Sequence, residues 1–127
     1  MMNNSCHLSR FKVEINHCDA YKIVHNSQYF VWFDCCIFNK IMEGRDLSTI
    51  EKKPYRIIKS RCRYIHSASY LDNLLVKTSF KINNNLVNIK QYMFNEDTNN
   101  LISICNSLIE INLKGAIVNN EGSFIKQ

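Results

Sequence analysis

Residues 26–43 of this 127-residue chain form a segment, NSQYFVWFDCCIFNKIME, that is apolar on almost every side. Large apolar residues recur at the three- and four-residue steps of an α-helix: Phe30, Phe33, Ile37 and Ile41. Further apolar side chains widen this stripe: Tyr29, Trp32, Cys36 and Phe38. A helix with so little polar surface must be enclosed by other parts of the fold. The segment therefore predicts one long central helix covered by a sheet.

The flanking residues indicate where this helix begins and ends. Asn26 or Ser27 can cap its N-terminus, because short polar side chains accept hydrogen bonds from the first free N–H groups. Gly44 is a typical stop signal, which gives a helix reaching about Glu43. The preceding loop, Cys18 to His25, connects the helix to a strand-like stretch.

The remaining segments alternate apolar and polar residues, the pattern of half-buried strands. These predicted strands are Arg10–Asn16, Arg56–His66, Leu74–Ile82, Leu86–Phe94 and Leu101–Leu113. One strand, one helix and then four strands separated by short breaks predict an α+β fold with an antiparallel sheet of about five strands. We expect a single domain over residues 1–127, with short flexible ends at 1–9 and 115–127.

Composition argues against several function classes. No stretch approaches the roughly 20 apolar residues that span a bilayer, so we expect no membrane insertion and a cytoplasmic protein. The net charge of +5 is accompanied by no nucleic-acid-binding motif, so we expect no nucleic-acid partner. The alternating Lys59, Arg61 and Arg63 indicate a solvated strand face, or alternatively a docking surface for an acidic partner.

The six cysteines form no C-x-x-C pair, and we expect neither a metal site nor a disulfide framework. Cys35 and Cys36 fall in the middle of the predicted helix among Phe and Ile. Buried free thiols behave as small apolar side chains. We therefore assign these two cysteines to packing.

Asp19 is the candidate for chemistry, because it lies a short loop before the helix start. The first turn of a helix offers unpaired backbone N–H groups and the positive end of a dipole, which can polarise a carbonyl oxygen. A nearby carboxylate can attack that carbonyl or activate water. The alternative is an aspartate that only caps the turn of its loop.

Residues 17–34, HCDAYKIVHNSQYFVWFD, resemble the active-site signature of acyl-CoA thioesterases of the 4-hydroxybenzoyl-CoA thioesterase type, which have the hot-dog fold. The matching positions are Asp19, Ile23, Val24, Asn26, Tyr29, Trp32 and Phe33. A second match covers Ser60 to Thr78, where a strand and an aromatic residue precede an Ala-x-Tyr-x-Asp turn. The resemblance extends over roughly Phe11 to Leu113.

This resemblance implies hydrolysis of an acyl thioester, with Asp19 as nucleophile or general base and the backbone N–H of Asn26 as oxyanion donor. It implies a CoA or phosphopantetheine thioester as the substrate, no separate cofactor, and an acyl carrier protein as a possible partner. Residues expected to line the substrate site are Lys22, His25, Gln28 and Tyr29. His25 could donate a hydrogen bond to Asp19, or it could fill or cap the helix start. The second interpretation is favoured.

The resemblance also implies a homodimer or homotetramer, in which the partner's Arg56–His66 segment completes each site. Asp72 resembles a structural position that caps its turn. Two departures favour the alternative of a non-hydrolytic protein that binds acyl chains or serves as a structural oligomer. Lys22 stands where the family usually has glycine, and Asn84 and Asn85 stand where some CoA-using relatives have basic residues.

Overall fold

The computed structural model describes residues 6–46, 48 and 52–112, and the backbone of 117–118 and 124–125. Five antiparallel strands form one sheet against a single α-helix, as the sequence predicted. The strands lie in the order β1-β3-β4-β5-β2, so β1 and β2 are its edges. The bounds are β1 Cys6–Lys12, α1 Asn26–Ile41, β2 Tyr55–Tyr64, β3 Asn73–Asn83, β4 Leu86–Asn95 and β5 Leu101–Ile111. A separate pair, β6 Ile117–Val118 and β7 Phe124–Ile125, follows.

Helix α1 packs on the inner face of the sheet and forms the core with it. Near its start the helix buries Tyr29, Trp32 and Phe33 against β3, β4 and β5. Near its end, Ile37 and Ile41 pack with side chains from the other end of the same strands. Each fully buried side chain of this size contributes about 1.5–3 kcal/mol to folding. The apolar stripe thus fixes the helix on the sheet.

The first strand differs from its prediction. We predicted Arg10–Asn16, whereas β1 covers Cys6–Lys12 and a short 3-10 helix occupies Ile15–His17. In this helix Glu14 donates its backbone N–H to Nδ1 of His17 at 2.9 Å. This local capping bond turns the chain away from the sheet and leaves Ile15 exposed.

The predicted flexible end at 1–9 is therefore wrong for Cys6 to Ser9, which pair with β3. Residues 1–5 lie outside the described residues, as do 115–127 apart from the backbone of β6 and β7. Leu113, the predicted end of the last strand, also lies outside them. The other strands agree with their predictions to within two residues.

The helix begins at Asn26 and ends at Ile41, close to its prediction, and Gly44 adopts a left-handed φ of 75° just beyond it. The predicted caps are wrong, because His25 is the N-cap residue and its side chain makes no capping hydrogen bond. Enclosure of the helix is also incomplete in one chain. Phe30 is 42% exposed and Val31 58% exposed on the side of α1 that faces away from the sheet.

Candidate active site

The loop before α1 is a tight hairpin that carries Asp19. At its base His25 donates its N–H to the carbonyl of His17 at 3.0 Å, and Cys18 pairs with Val24. Asp19 donates its own N–H to the carbonyl of Ile23 at 2.9 Å. Asp19 is therefore two residue pairs from the helix start, about 7 Å along the hairpin.

The carboxylate of Asp19 is held by the loop backbone and is exposed to solvent. Its Oδ1 accepts hydrogen bonds from the N–H of Tyr21 at 2.8 Å and of Ile23 at 3.2 Å. This is the turn-capping role considered as the alternative for Asp19. These two bonds also fix the orientation of the carboxylate relative to the hairpin.

The first turn of α1 presents open backbone donors next to this hairpin. An α-helix has no internal acceptor for the N–H groups of Asn26 and Ser27, its first two residues. The next donor, Gln28 N–H, reaches the carbonyl of His25 at 3.0 Å. Asn26, predicted as the oxyanion donor, thus lies at the positive end of the helix dipole.

Lys22 adopts a left-handed conformation with φ of 64°, which favours glycine. The thioesterase family that the sequence resembles usually has glycine at this position, and the observed backbone conformation is one that glycine adopts readily. In this chain the residue is lysine. The Lys22 carbonyl accepts the N–H of Tyr70 at 2.9 Å, and its ammonium lies 5.9 Å from the centre of the Tyr70 ring.

The hairpin is joined to the turn before β3, residues 68–72. Val24 donates its N–H to the carbonyl of Ala68 at 3.0 Å, and Ile23 pairs with Ser69. In that turn Asp72 accepts the N–H of Ser69 on Oδ2 at 2.9 Å. The predicted capping role of Asp72 is confirmed.

The remaining predicted site residues differ in their surroundings. Tyr29 is buried, and its hydroxyl oxygen accepts the N–H of Ala68 at 2.9 Å. Burial raises the pKa of Tyr29 above its ordinary value, so the hydroxyl stays protonated. Gln28 is half-buried one residue earlier, and His25 is exposed. His25 occupies the N-cap position of the helix without a side-chain capping hydrogen bond.

Tyr64, the last residue of β2, is a further residue at the helix start that was not predicted. Its ring centre lies 5.2 Å from that of Tyr29, and its hydroxyl donates to the carbonyl of Asn26 at 3.3 Å. Tyr64 therefore connects the edge strand to the helix start within one chain. An aromatic residue at the end of an alternating strand gives no sequence signal for such a contact.

The part of the chain that the structure describes contains no group of His, Cys, Asp and Glu side chains that could hold a metal ion. Within the same residues, no helix is long and apolar enough to cross a membrane.

Comparison with known proteins places this geometry in a structural class. No protein-family model and no curated protein sequence matches the chain. Among solved structures, a probable thioesterase from Bartonella henselae superimposes with a TM-score of 0.71 at 15% identity, covering 98% of this chain and 99% of that one. A 1,4-dihydroxy-2-naphthoyl-CoA thioesterase from Synechocystis gives 0.74 at 12% identity, covering 96% and 89%.

A DHNA-CoA thioesterase from Staphylococcus aureus gives a TM-score of 0.71 at 16% identity, covering 95% of this chain and 80% of that one. At these identities the likeness concerns architecture, and the function must be argued from the site. The similarity extends over nearly the whole chain. The chain has the hot-dog fold, the fold of the solved thioesterases that it resembles.

Proposed function

We propose that this protein hydrolyses an acyl thioester to a free acid and a thiol. One observation carries the proposal: backbone hydrogen bonds hold the Asp19 carboxylate in the hairpin that leads into the open N-terminus of α1. The fold adds support, since solved structures of similar architecture include thioesterases. A carboxylate and a set of unpaired donors, placed on either side of a carbonyl, are the two groups that acyl transfer requires.

In the proposed reaction the backbone N–H of Asn26 donates to the thioester oxygen and stabilises the negative charge that develops there. Removing one such donor in enzymes costs about 10²–10³ in rate. Asp19 then acts in one of two ways. As a nucleophile it attacks the carbonyl carbon, expels the thiolate and leaves a mixed anhydride that water hydrolyses. As a general base it takes a proton from the water that attacks.

The surroundings of the helix start suggest how the substrate is held. We assign the acyl group to the exposed apolar side of α1, where Phe30 and Val31 follow the half-buried Gln28. Tyr29 lies beneath this region with its hydroxyl already bonded, so its ring forms part of the floor. Lys22 and His25 are exposed at the entrance, where Lys22 can meet the phosphates of the thiol carrier.

A panel of acyl-CoA and acyl-carrier thioesters, varied in chain length and aromatic content, tests the proposal by following release of free thiol. We expect turnover of at least one member by the wild-type protein and loss of that turnover in Asp19→Asn. Failure of the folded protein to release thiol from any member would contradict it.

We also propose a homodimer, or a tetramer built from it. The edge strand β2 leaves apolar side chains uncovered in one chain, with Ile57 at 41% and Tyr64 at 42% exposure. Edge strands with exposed apolar residues are sites of pairing with a second copy. Such pairing would bring the partner's Arg56–His66 segment to the site. Light scattering should give at least twice the chain mass at micromolar concentration, and an active monomer would contradict this assembly.

The thiol carrier is proposed to be an acyl carrier protein. The outer face of the sheet is rich in cationic side chains, although Arg10 and Arg56 are paired with Glu96 and Glu110. The cations on this face are Arg10, Lys12, Arg56, Lys59, Arg61, Arg63, Lys77, Lys81 and Lys90. At the β3–β4 turn, by contrast, Asn84 and Asn85 stand where some CoA-using relatives have basic residues. Each charge-assisted hydrogen bond from such a basic residue to a phosphate is worth about 1.5–3 kcal/mol. An extended basic face fits an acidic protein surface better than a single nucleotide.

This proposal predicts a lower apparent KM for an acyl group on the carrier protein than for the same acyl group on CoA, measured at low salt. Arg61→Gln with Arg63→Gln should raise the KM for the carrier several-fold and by a larger factor than the KM for acyl-CoA. Equal KM values for the two substrates, or competition by free CoA at low micromolar concentration, would contradict it.

A second candidate function is acyl binding without hydrolysis. The turn-capping bonds of Asp19 favour it, because they account for the residue without chemistry. In that case an acyl thioester should bind and remain intact, and Asp19→Asn should not change its affinity.

A further inference from the structure

Two cysteines that are far apart in sequence meet on the inner face of the sheet. Cys62 in β2 is directly opposite Cys105 in β5, and their sulfur atoms lie 2.8 Å apart. Cys105 is buried and Cys62 is half-buried. A disulfide bond is about 2.05 Å long, so an approach of about 0.8 Å separates the two thiols from a bond.

The backbone geometry at this position suits a disulfide. At the end of the antiparallel pairing of β2 with β5, Ile65 donates its N–H to the carbonyl of Ile102. Ile65 and Ile102 are therefore a hydrogen-bonded pair. Pair types alternate along the ladder, so Cys62 and Cys105, three steps away, form a non-hydrogen-bonded pair. Opposite side chains approach most closely in such pairs, with Cα atoms about 4.5 Å apart, within the range that disulfides span.

The polar surroundings favour loss of a proton from the pair. The hydroxyl of Ser60 lies 3.3 Å from the Cys105 sulfur, and that of Ser107 lies 3.7 Å from it. The hydrogen bond from Cys62, followed by those from the two serines, lowers the pKa of Cys105 to about 6, while the same contact raises the pKa of Cys62. Within the pair, Cys62 therefore donates its thiol proton toward the Cys105 sulfur, which is the better acceptor.

We propose that Cys62 and Cys105 form a reversible intrachain disulfide when the protein meets hydrogen peroxide. Cys62, the less buried of the two, passes its thiol proton to the Cys105 sulfur and attacks the peroxide, so that an S–O bond forms, the O–O bond breaks and hydroxide leaves. The Cys105 sulfur then attacks the Cys62 sulfenic acid, expelling its oxygen. The thiol protons complete two water molecules. Two thiols are oxidised by one electron each, and one peroxide is reduced.

This modification would tie the edge strand β2 to its neighbour β5 two residues before Tyr64, the residue that contacts the helix start. It does not depend on thioester hydrolysis. A cross-link closing such a long loop also restricts the unfolded chain. We therefore expect the oxidised protein to unfold at a temperature higher by about 5 °C or more.

The test treats the reduced full chain with hydrogen peroxide, alkylates the remaining thiols and maps the peptides by mass spectrometry without reduction. We expect a mass loss of about 2 Da before alkylation, one peptide pair joining Cys62 to Cys105, and full reversal by dithiothreitol. Cys62→Ser and Cys105→Ser should each abolish the linked pair. Cys35→Ser, which changes a thiol that does not contact this pair, should retain it.

Exposed Cys6 provides an internal reference. If Cys62 and Cys105 remain reduced thiols, and so become alkylated, under conditions that oxidise Cys6, the proposal is wrong. It is also wrong if the linked peptides join other cysteines. The wild-type experiment alone decides between these results, whether or not the serine variants fold.

Discussion

Asp19 and Asp72 lie in two adjacent turns and use their carboxylates in similar ways. Asp19 accepts backbone N–H groups from Tyr21 and Ile23, and Asp72 accepts the N–H of Ser69. The turns themselves are joined through the pairing of Ile23 with Ser69. Hydrogen bonding therefore does not separate a catalytic aspartate from a structural one.

What separates them is location. Asp19 is exposed and leads directly into the first turn of α1, whereas Asp72 is half-buried and leads into a strand of the sheet. Strands have only small net dipoles, and helix starts present free N–H groups. The comparison teaches that the neighbouring helix, rather than the turn, gives Asp19 its proposed role.

The largest expected effect comes from making the same change at both aspartates. Asparagine keeps an acceptor oxygen for the turn and removes the charge that attacks or activates water. Asp19→Asn should lower kcat by about 10²–10⁴-fold, the contribution of a positioned general base, with unchanged unfolding temperature. Asp72→Asn should leave kcat within a few-fold of wild type.

Steady-state kinetics on the best thioester, with circular dichroism to confirm folding, makes this comparison. Near-normal turnover by folded Asp19→Asn, or equal losses in both variants, would remove the distinction between the two turns.

Sequence patterns predicted much of this arrangement. The apolar stripe gave the helix to within a few residues, and alternation gave four strands. The first strand was misplaced because Phe11, Val13 and Ile15 alternate, whereas β1 ends at Lys12 and the bond between Glu14 and His17 forms just beyond it. Local side-chain-to-backbone bonds of this kind compete with sheet pairing and leave no periodic signal.

Contacts between distant segments were also beyond sequence reasoning. The pairing of Cys62 with Cys105 and the contact of Tyr64 with the helix start depend on the register of β2 against β5. Register follows from how the whole sheet packs on the helix, and a single strand does not specify it.

The second largest effect should come from Tyr29, whose hydroxyl joins the helix to the Asp72 turn. Tyr29→Phe would leave the buried N–H of Ala68 without an acceptor. We expect the free energy of unfolding to fall by about 1–3 kcal/mol in urea denaturation. Tyr64→Phe, which removes an exposed hydroxyl, is the matched control and should change stability by less than about 0.5 kcal/mol. Equal effects would mean that the Ala68 bond does not hold the turn.

A smaller effect is expected from truncating Asp72. Asp72→Ala removes the acceptor for the half-buried N–H of Ser69 and should lower the free energy of unfolding by about 1 kcal/mol. The kcat per folded molecule should change little. A loss of activity as large as that of Asp19→Asn would place Asp72 in the chemistry and contradict its structural assignment.

The smallest effect concerns Lys22, which gives the Asp19 hairpin its left-handed residue. A residue with a Cβ is strained at φ of 64°, and the strain is of order 1 kcal/mol. Lys22→Gly and Lys22→Ala both remove the ammonium that lies over the Tyr70 ring, so they differ only in the Cβ. We expect the glycine variant to be more stable than the alanine variant by about 1 kcal/mol in denaturant unfolding. If alanine is the more stable, the hairpin in solution does not hold Lys22 at positive φ, and the orientation of Asp19 that depends on this hairpin must be different.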